Sequence, residues 1–337
     1  MRLLIISLFT LILNTTVFSQ GCCSGGAGSP IAGGAATGVL QENQMELSIN
    51  YQFNRSNKFF NEHKEATPTF NNLSSDYLFF RVDYGLSKKF TLSVASGYFL
   101  DKSKIGKDNS DTISSNGVGD LIIFPRYSIY NKTANFKRTA VVIGLGLKIP
   151  LGSHNDTTNL GSYGIDNYQM NPPMLQTTNG SNDLMFNSFF FREYQKSKLR
   201  LFISSLYVKK GYNSLGIKYG DYTSVGFFAS KTFFYRWGVT AQLKAEKIDQ
   251  IKVANKVSEV DLINYSITPE STGSKKWFFI PQLSYSKNGL TVYATSEIPI
   301  YQYLNGTQVG SQNQFTVGVN YRFLTRKCED PLPPLAN

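Results

Sequence analysis

Apolar and polar residues alternate along this chain from residue 44 onwards. In the first such segment Met45, Leu47, Ile49, Tyr51 and Phe53 alternate with polar residues. Successive side chains of a β-strand point to opposite faces, so this segment has one apolar and one polar face. We expect the apolar face to contact lipid.

The same alternation recurs often enough to predict about twelve strands, an even number. The further segments cover residues 77–86, 89–100, 118–130, 138–149, 183–194, 198–208, 221–231, 235–247, 276–286, 290–301 and 313–323. The connections between them alternate between short turns and long polar loops. Short connections fall near Ser87-Lys88, 131–136, Gln195-Lys196 and Asn288-Gly289, and long ones near 55–74, 101–116, 150–182 and 248–274.

This arrangement predicts an all-β fold, a transmembrane antiparallel up-and-down β-barrel of about twelve strands over residues 44–323. Short periplasmic turns opposite long extracellular loops are typical of bacterial outer-membrane barrels. The predicted location is therefore the outer membrane of a Gram-negative bacterium, with both chain ends in the periplasm. A soluble β-sandwich is the alternative, because periodicity does not distinguish lipid from a protein core.

Some local features of the predicted strands favour the barrel, and others disfavour it. Asn288-Gly289 favours a two-residue hairpin turn. Pro125 and Pro281 lie inside predicted strands, where a proline removes a ladder hydrogen bond and a closed barrel has no free edge. Each proline therefore requires a bulge or a local break.

The last predicted strand ends on an aromatic residue. Apolar residues occupy alternate positions from Phe315 to Phe323, and the motif Gly318-Val319-Asn320-Tyr321-Arg322-Phe323 resembles the C-terminal signal recognised by the barrel-assembly machinery. The resemblance implies that this machinery is a partner through residues 314–323. A periplasmic tail, residues 324–337, follows the strand.

The N-terminal residues predict export. Arg2 precedes an apolar stretch from Leu3 to Leu13, and small residues favour cleavage after Ser19, as in a signal peptide. The stretch is too short for a transmembrane helix, which needs about 20 apolar residues. Residues 20–43 form a Gly/Ala-rich periplasmic arm with no core of its own. This arm either folds into the lumen as a gate or docks a periplasmic protein partner.

The cysteines, Cys22, Cys23 and Cys328, lie outside the predicted barrel. Both tails share the oxidising periplasm, so one of the two vicinal cysteines could form a disulfide with Cys328. The alternatives are a soft metal such as copper on the vicinal thiolates, or lipidated or free thiols. A vicinal pair alone is a weak ligand set, and we predict neither a metal site nor a cofactor.

Composition changes this picture in two ways. Aromatic residues make up 14% of the chain, although its mean hydropathy is only -0.21; rings that form girdles at both membrane interfaces explain this combination. The net charge is +11, but the basic residues are scattered, which disfavours nucleic-acid binding. Outer-membrane lipid and lipopolysaccharide are the expected partners. The positive charge has two equally good explanations: basic loops that face anionic lipopolysaccharide, or an anion-selective pore.

Alternation assigns charged side chains to the lumen. The candidates for solute contact are Arg81, Asp83, Asp120, Arg126, Lys148, Lys244 and Glu246, and the inward set also includes Glu46, Arg200, Glu297 and Arg322. Both signs occur in near balance, so these residues form either a charged solute site or ion pairs that fill the lumen. Arg81 and Asp83 share one face, and Asp120 could form an ion pair with Arg126.

Two short motifs resemble a known family. Gly117-Val118-Gly119-Asp120 leading to Phe124-Pro125-Arg126-Tyr127, and Gly144-Leu145-Gly146 followed by Pro150-Leu151-Gly152, resemble the outer-membrane transporter-like barrels named after the meta pathway of phenol degradation. The resemblance is best over residues 75–210. It implies a role in moving small, often hydrophobic, molecules across the outer membrane. Gly144 and Gly146 either leave room in the lumen or relieve crowding in curved strands.

Residues suited to catalysis are few. His63 and His154 lie in predicted loops, where a solvated histidine is the common case, so we expect no enzymatic activity. The predicted function is an outer-membrane channel or transporter for a small solute. The alternative is a structural or assembly component of the outer membrane whose barrel anchors a partner-binding arm or loops.

Overall fold

The computed structural model describes residues 38–107, 112–159 and 166–325. These residues form twelve long antiparallel strands that close into a barrel. The strands are β1 (Gln44–Ser56), β2 (Asn72–Ser87), β3 (Phe90–Ile105), β4 (Asp120–Ala134), β5 (Lys137–Pro150), β6 (Asp183–Tyr194), β7 (Leu199–Lys209), β8 (Tyr222–Phe233), β9 (Trp237–Ile248), β10 (Ser274–Lys287), β11 (Leu290–Val309) and β12 (Gln314–Leu324). The all-β transmembrane barrel predicted from the sequence is confirmed.

Each strand pairs with its neighbours in the sequence, and β12 pairs with β1 to close the sheet. The closing register runs from Gln44 opposite Leu324 to Asn54 opposite Gln314. The first residue of β1, the last residue of β12 and the short turns therefore lie at one end of the barrel, which we call the turn end. The long connections lie at the opposite end, the loop end.

Side chains alternate across the barrel wall as the sequence pattern predicts. On β1, Leu47 and Ile49 are exposed on the outer surface, whereas Glu46 and Ser48 are buried inside. Exposed aliphatic and aromatic residues continue around the outer face, as lipid contact requires.

Several strands extend beyond the ranges that the alternation predicts, and these expectations were wrong at their loop ends. β2 begins at Asn72 and β3 continues to Ile105, while β11 runs on to Val309. Past the lipid both faces of a strand meet water, so the apolar alternation ends before the backbone pairing does.

Shorter elements occupy the long connections. They are the strands Phe59–Glu62, Lys64–Ala66, Thr112–Val118, Thr157–Asn159, Tyr168–Met170, Ile217–Lys218 and Lys252–Val253, the helix α1 (Glu259–Asn264) and a 3-10 turn, Pro269–Ser271. Ser258 and Asp261 form a reciprocal capping box at the start of α1. Hydrogen bonds from Ser258 lower the pKa of the Asp261 carboxyl. Within the described ranges no helix has the length and apolar character to cross a membrane.

The predicted two-residue turn at Asn288-Gly289 is confirmed. Both residues have positive φ, 49° and 81°, as a type I′ hairpin turn requires. The turn between β8 and β9 places Phe234 and Tyr235 in the same backbone region, at φ 46° and 61°. These two aromatic residues are 84% exposed at the turn end.

Both strand prolines are accommodated by local breaks in the ladder. The pairing of β4 with β5 lapses at Phe124 and Pro125 and resumes at Arg126 in the same register. The pairing of β10 with β11 lapses at Pro281 in the same way, and the register shift of that pair lies several residues earlier, after Trp277. The prolines thus cost ladder bonds on one side without moving the strands.

Gly144 and Gly146 lie beneath an inward-facing aromatic ring. A Cβ at Gly144 would lie 2.6 Å from the Phe124 Cζ, and a Cβ at Gly146 would also overlap that ring. The two glycines of β5 therefore provide the space in which Phe124 lies flat against the wall of β5. Their role is to relieve crowding, the second of the two interpretations that the sequence allows.

We predict that Gly146→Val lowers the stability of the barrel. The new side chain would displace Phe124, and overpacking of this kind costs about 1–3 kcal/mol. The measurement is the temperature at which the folded band disappears on unboiled gels, together with the urea midpoint in detergent micelles. Leu145→Val, on the outer face of the same strand, is the matched control, and an equal loss in both variants would contradict the argument.

Candidate functional site

A cavity of about 270 Å³ lies inside the barrel. Its wall combines charged side chains with apolar ones from many strands, among them Arg81, Lys148, Phe79 and Phe189. Because every strand contributes alternate residues to the interior, the cavity is a property of the closed barrel rather than of one motif.

Asp83 is the centre of the first charged cluster. Its carboxylate accepts from Arg81 Nε at 2.7 Å and from Arg126 Nη2 at 2.8 Å, and the Ser93 hydroxyl also donates to it. The Asp83 side chain is completely buried, so these contacts replace the water that a carboxylate needs.

Glu46 extends this cluster across the seam of the barrel. Arg81 Nη2 lies 3.3 Å from one Glu46 carboxylate oxygen, and Arg322 Nη2 lies 2.8 Å from the other. Glu46 belongs to β1, Arg81 to β2 and Arg322 to β12, so one buried carboxylate joins the first strand to both of its neighbours.

The second cluster lies nearer the loop end. Lys148 Nζ lies 2.5 Å from Asp120 Oδ2 and 3.7 Å from Asp183 Oδ2, and Lys210 Nζ lies 2.9 Å from the same Asp183 oxygen. Sequence reasoning missed Asp183 and Lys210. Asp183 is the first residue of β6, directly opposite Lys148 of β5, and that register could have revealed it.

The expected ion pair between Asp120 and Arg126 was wrong. Both residues face inward, but they are six positions apart on one strand, which corresponds to about 20 Å. Asp120 pairs instead with Lys148 on the adjacent strand, and Arg126 pairs with Asp83.

Lys244 forms the third cluster with two carboxylates. Its Nζ lies 2.7 Å from Glu297 Oε1 and 3.4 Å from Glu246 Oε2. The Tyr222 hydroxyl donates to Glu246, and the Lys244 ammonium lies 4.5 Å from the centroid of the Phe278 ring.

The structure thus places the lumen candidates in separate ion-paired clusters rather than in one constriction. Arg200, also predicted to face inward, lies close to the turn end and pairs with Glu193 at 3.0 Å, with much of its side chain exposed. Every one of the charged candidates has a counter-ion, which is consistent with the expectation that ion pairs fill much of the lumen.

One side of the lumen is apolar. Buried residues of β5 to β8 pack together there, including Val142, Phe189, Phe191, Phe202 and Phe228. The rings of Phe191 and Phe202 lie 5.2 Å apart. This apolar wall was not predicted from the sequence, because inward-facing aromatics look like lipid-facing ones when a strand is apolar on both faces.

The residues just before β1 enter the barrel at the turn end. Val39 packs into the apolar wall, and Gly38 contacts Val142 and Phe189. The Leu40 amide donates to Thr91 Oγ1 at 2.8 Å. Residues 38–40 of the arm thus pack against the barrel instead of forming a core of their own, while the signal peptide and Cys22, Cys23 and Cys328 lie outside the described residues.

At the loop end, part of the connection between β5 and β6 folds inward. Leu175 is completely buried against Phe59, Phe70 and Ile113. Lys102 Nζ donates to the Gln176 carbonyl at 2.5 Å, and the Ser115 hydroxyl donates to the Leu175 carbonyl. This loop thus packs against residues at the loop end of the barrel, while Gly38 lines the cavity on the side of the turn end.

The net positive charge outside the lumen concentrates at the turn end. Lys88, Lys89, Lys132, Lys137, Arg138, Lys196, Lys198, Lys231, Arg236 and Lys287 all lie in or next to the short turns. Lys198 Nζ lies 3.4 Å from the centroid of the exposed Tyr235 ring. The excess charge was expected in loops and turns; it lies mainly in the turns, because acidic residues offset the basic ones in the long loops.

His154 has an unexpected partner. Its Nε2 lies 2.8 Å from the Ser214 hydroxyl oxygen, which comes from the connection between β7 and β8. The adjacent cavity measures about 10 Å³, about the space for one water molecule. Among the described residues, no group of three or more His, Cys, Asp or Glu side chains is arranged to hold a metal ion.

Together these features define a transmembrane β-barrel whose interior combines ion-paired, polar and apolar side chains around a cavity. No family model matches the sequence, and no curated protein matches it either. The resemblance to the meta-pathway family therefore stays a prediction.

Solved structures show what this fold is similar to. The crystal structure of the COG4313 outer membrane channel from Pseudomonas putida F1 superimposes with a TM-score of 0.59 at 9% identity, covering 85% of this chain and 97% of that chain. The NanC porin gives 0.44 at 12% identity over 82% and 98%, and a Pseudomonas aeruginosa FadL homologue gives 0.40 at 9% identity over 91% and 99%. The first similarity supports the barrel fold; the other two scores are too low to carry an argument.

We predict that Asp83→Asn strongly destabilises the barrel. Arg81 and Arg126 would keep their charges but lose the carboxylate between them, and breaking a buried ion pair costs about 3–5 kcal/mol. Urea unfolding in detergent micelles measures the change. Combining Asp83→Asn with Arg126→Met should recover part of the loss, because one stranded cation is then absent.

The matched control for Asp83→Asn is Glu65→Gln. Glu65 pairs with Lys58 at 3.7 Å, and both side chains are more than half exposed. Exposed pairs contribute less than about 1 kcal/mol. Similar losses in the two variants would show that the buried cluster does not stabilise the fold.

Proposed function

We propose that this protein is an outer-membrane channel or transporter for a small solute. The observation that carries the proposal is the cavity of about 270 Å³ inside a closed barrel whose outer face is apolar. A lumen filled only to hold the wall together would need no such space. The similarity in fold to the Pseudomonas putida outer membrane channel supports the same proposal.

The orientation follows from the same proposal. The turn end faces the periplasm and the loop end faces the outside, because short periplasmic turns and long outer loops are the rule in bacterial barrels. Strand β12 ends at Leu324, one residue past the aromatic Phe323 of the proposed assembly signal. Recognition of that strand by the barrel-assembly machinery stays a prediction.

We predict that the purified full-length protein conducts ions in planar lipid bilayers. A lumen with space for a solute provides a water-filled path, so discrete current steps should appear after insertion. Protein-free bilayers with the same detergent are the control.

A barrel that only anchors partners gives the opposite results. It would insert without current steps and would leave the outer membrane with stoichiometric partner proteins. That combination of outcomes would overturn the proposed transport function.

The packed residues before β1 lead to a second prediction, which concerns how far they obstruct the channel. Residues 38–40 occupy the turn end of the lumen, and Leu40 is held by Thr91. Deleting residues 24–40 should therefore raise the single-channel conductance.

A deletion of residues 24–37 is the matched comparison, because it keeps the three packed residues. We expect it to raise the conductance less than the longer deletion does. Unchanged conductance after the longer deletion would show that this segment does not obstruct the path and would leave the docking role for the arm.

A further inference from the structure

The charged side chains that line the cavity are predominantly cationic. The cations are Arg81, Arg126, Lys148, Lys210 and Lys244, and the acids are Asp83 and Glu297. The wall that a solute would touch thus carries a formal excess of positive charge, although the lumen as a whole is nearly balanced.

The remaining counter-ions lie behind the cations. Asp120 and Asp183 neutralise Lys148 and Lys210, and Glu46 lies against Arg81, but none of these carboxylates lines the cavity. A solute in the cavity would therefore lie nearer to the ammonium and guanidinium groups than to the carboxylates. In a narrow space with low-dielectric walls this difference in distance favours an anion over a cation.

Arg126 adds a specific donor. Its Nη2 donates to Asp83 at 2.8 Å and to Ser93 at 3.0 Å, while its buried Nε has no hydrogen-bond partner among the described residues. A guanidinium has five N–H groups in a planar fork, which suits the two oxygens of a carboxylate. Arg126 thus keeps donor capacity that a small rearrangement would offer to a solute.

The uncharged part of the cavity wall is mixed: polar side chains such as Asn50, Asn187 and Gln242 line it together with a group of apolar ones. The apolar side chains include Phe79, Met185, Val208 and Phe228, and they give the cavity an apolar part that a hydrocarbon group could contact. Its volume of about 270 Å³ lies just below the range of roughly 300–1,000 Å³ typical of small-molecule sites. The matching solute is small, with one anionic group on an apolar body.

We infer that the lumen selects small amphiphilic carboxylates. This inference rests on the proposed channel function and adds the class of solute. The carboxylate lies among the lining cations, with Arg126 as its hydrogen-bond donor, and the hydrocarbon part contacts the apolar wall of β5 to β8. Neither inorganic chloride nor an organic cation uses both halves of this site.

The test is the zero-current potential of the full-length mature protein in planar bilayers at neutral pH. Gradients of sodium hexanoate, sodium acetate and hexylammonium chloride separate the effect of charge from that of the apolar body. We expect hexanoate to permeate about tenfold better than hexylammonium and also better than acetate. Equal permeability of hexanoate and hexylammonium, in a channel that conducts, would overturn the inference and leave the channel function standing.

Variants of the lining cations make the test specific. Arg126→Gln combined with Lys210→Gln should lower the hexanoate-to-hexylammonium ratio by about tenfold. Arg126→Lys keeps the charge and should retain the ratio, which separates electrostatics from damage to the barrel. Lys58→Gln, at an exposed position outside the cavity, is the matched control and should behave as the unaltered protein.

Three outcomes are then distinguishable. A fall in the ratio only with the lining variants supports the inference, provided that unboiled gels show folded protein. An equal fall with Lys58→Gln assigns the preference to surface charge and contradicts it. Absence of current in every salt contradicts the proposed channel function, and the inference fails with it.

Discussion

The structure depends on one constraint: lipid offers no hydrogen bonds, so the backbone N–H and C=O groups of a β-strand inside the membrane must bond to a neighbouring strand. A sheet can meet that demand only by closing, and here β12 pairs with β1 over eleven residue positions from Gln44 to Asn54. Closure in turn fixes the alternation, because residues that face lipid must be apolar and their neighbours must face one another across the lumen. The ion-paired interior is thus a consequence of the strand pairing that closes the sheet.

A second consequence is that charges inside the lumen must find partners on other strands. Asp83 binds Arg81 on its own strand and Arg126 on another strand, and Asp183 lies between Lys148 and Lys210. The side chains of these ion pairs do not fill the whole lumen, so a cavity remains beside them. Five cations but only two carboxylates line the cavity wall, and the other carboxylates lie behind the cations. The cavity wall is therefore positive, although the charges of the whole lumen nearly balance.

Alternation was enough to predict the barrel, its strand number and the inward direction of the charged candidates, because the period of two is set by the backbone itself. The partners of those charges were less accessible. Asp120 was matched with Arg126 because both face inward, but contact depends on the register between strands, which brings Lys148 to Asp120 instead. The sequence allowed the arm to fold into the lumen but did not indicate that Val39 and Leu40 are the residues that pack, since a Gly/Ala-rich stretch has no period that predicts where it packs.

The contact between Glu46 and Arg322 makes the ion pairing inside the lumen depend on closure of the barrel. The two residues are 276 positions apart and meet only when the last strand pairs with the first. Until then the Glu46 carboxylate lacks one of its two cations, and the cluster around Asp83 has an open side. A barrel arrested before closure would therefore be left with a hydrated, mispaired interior as well as two free edges, so completion of the lumen and completion of the wall are one event.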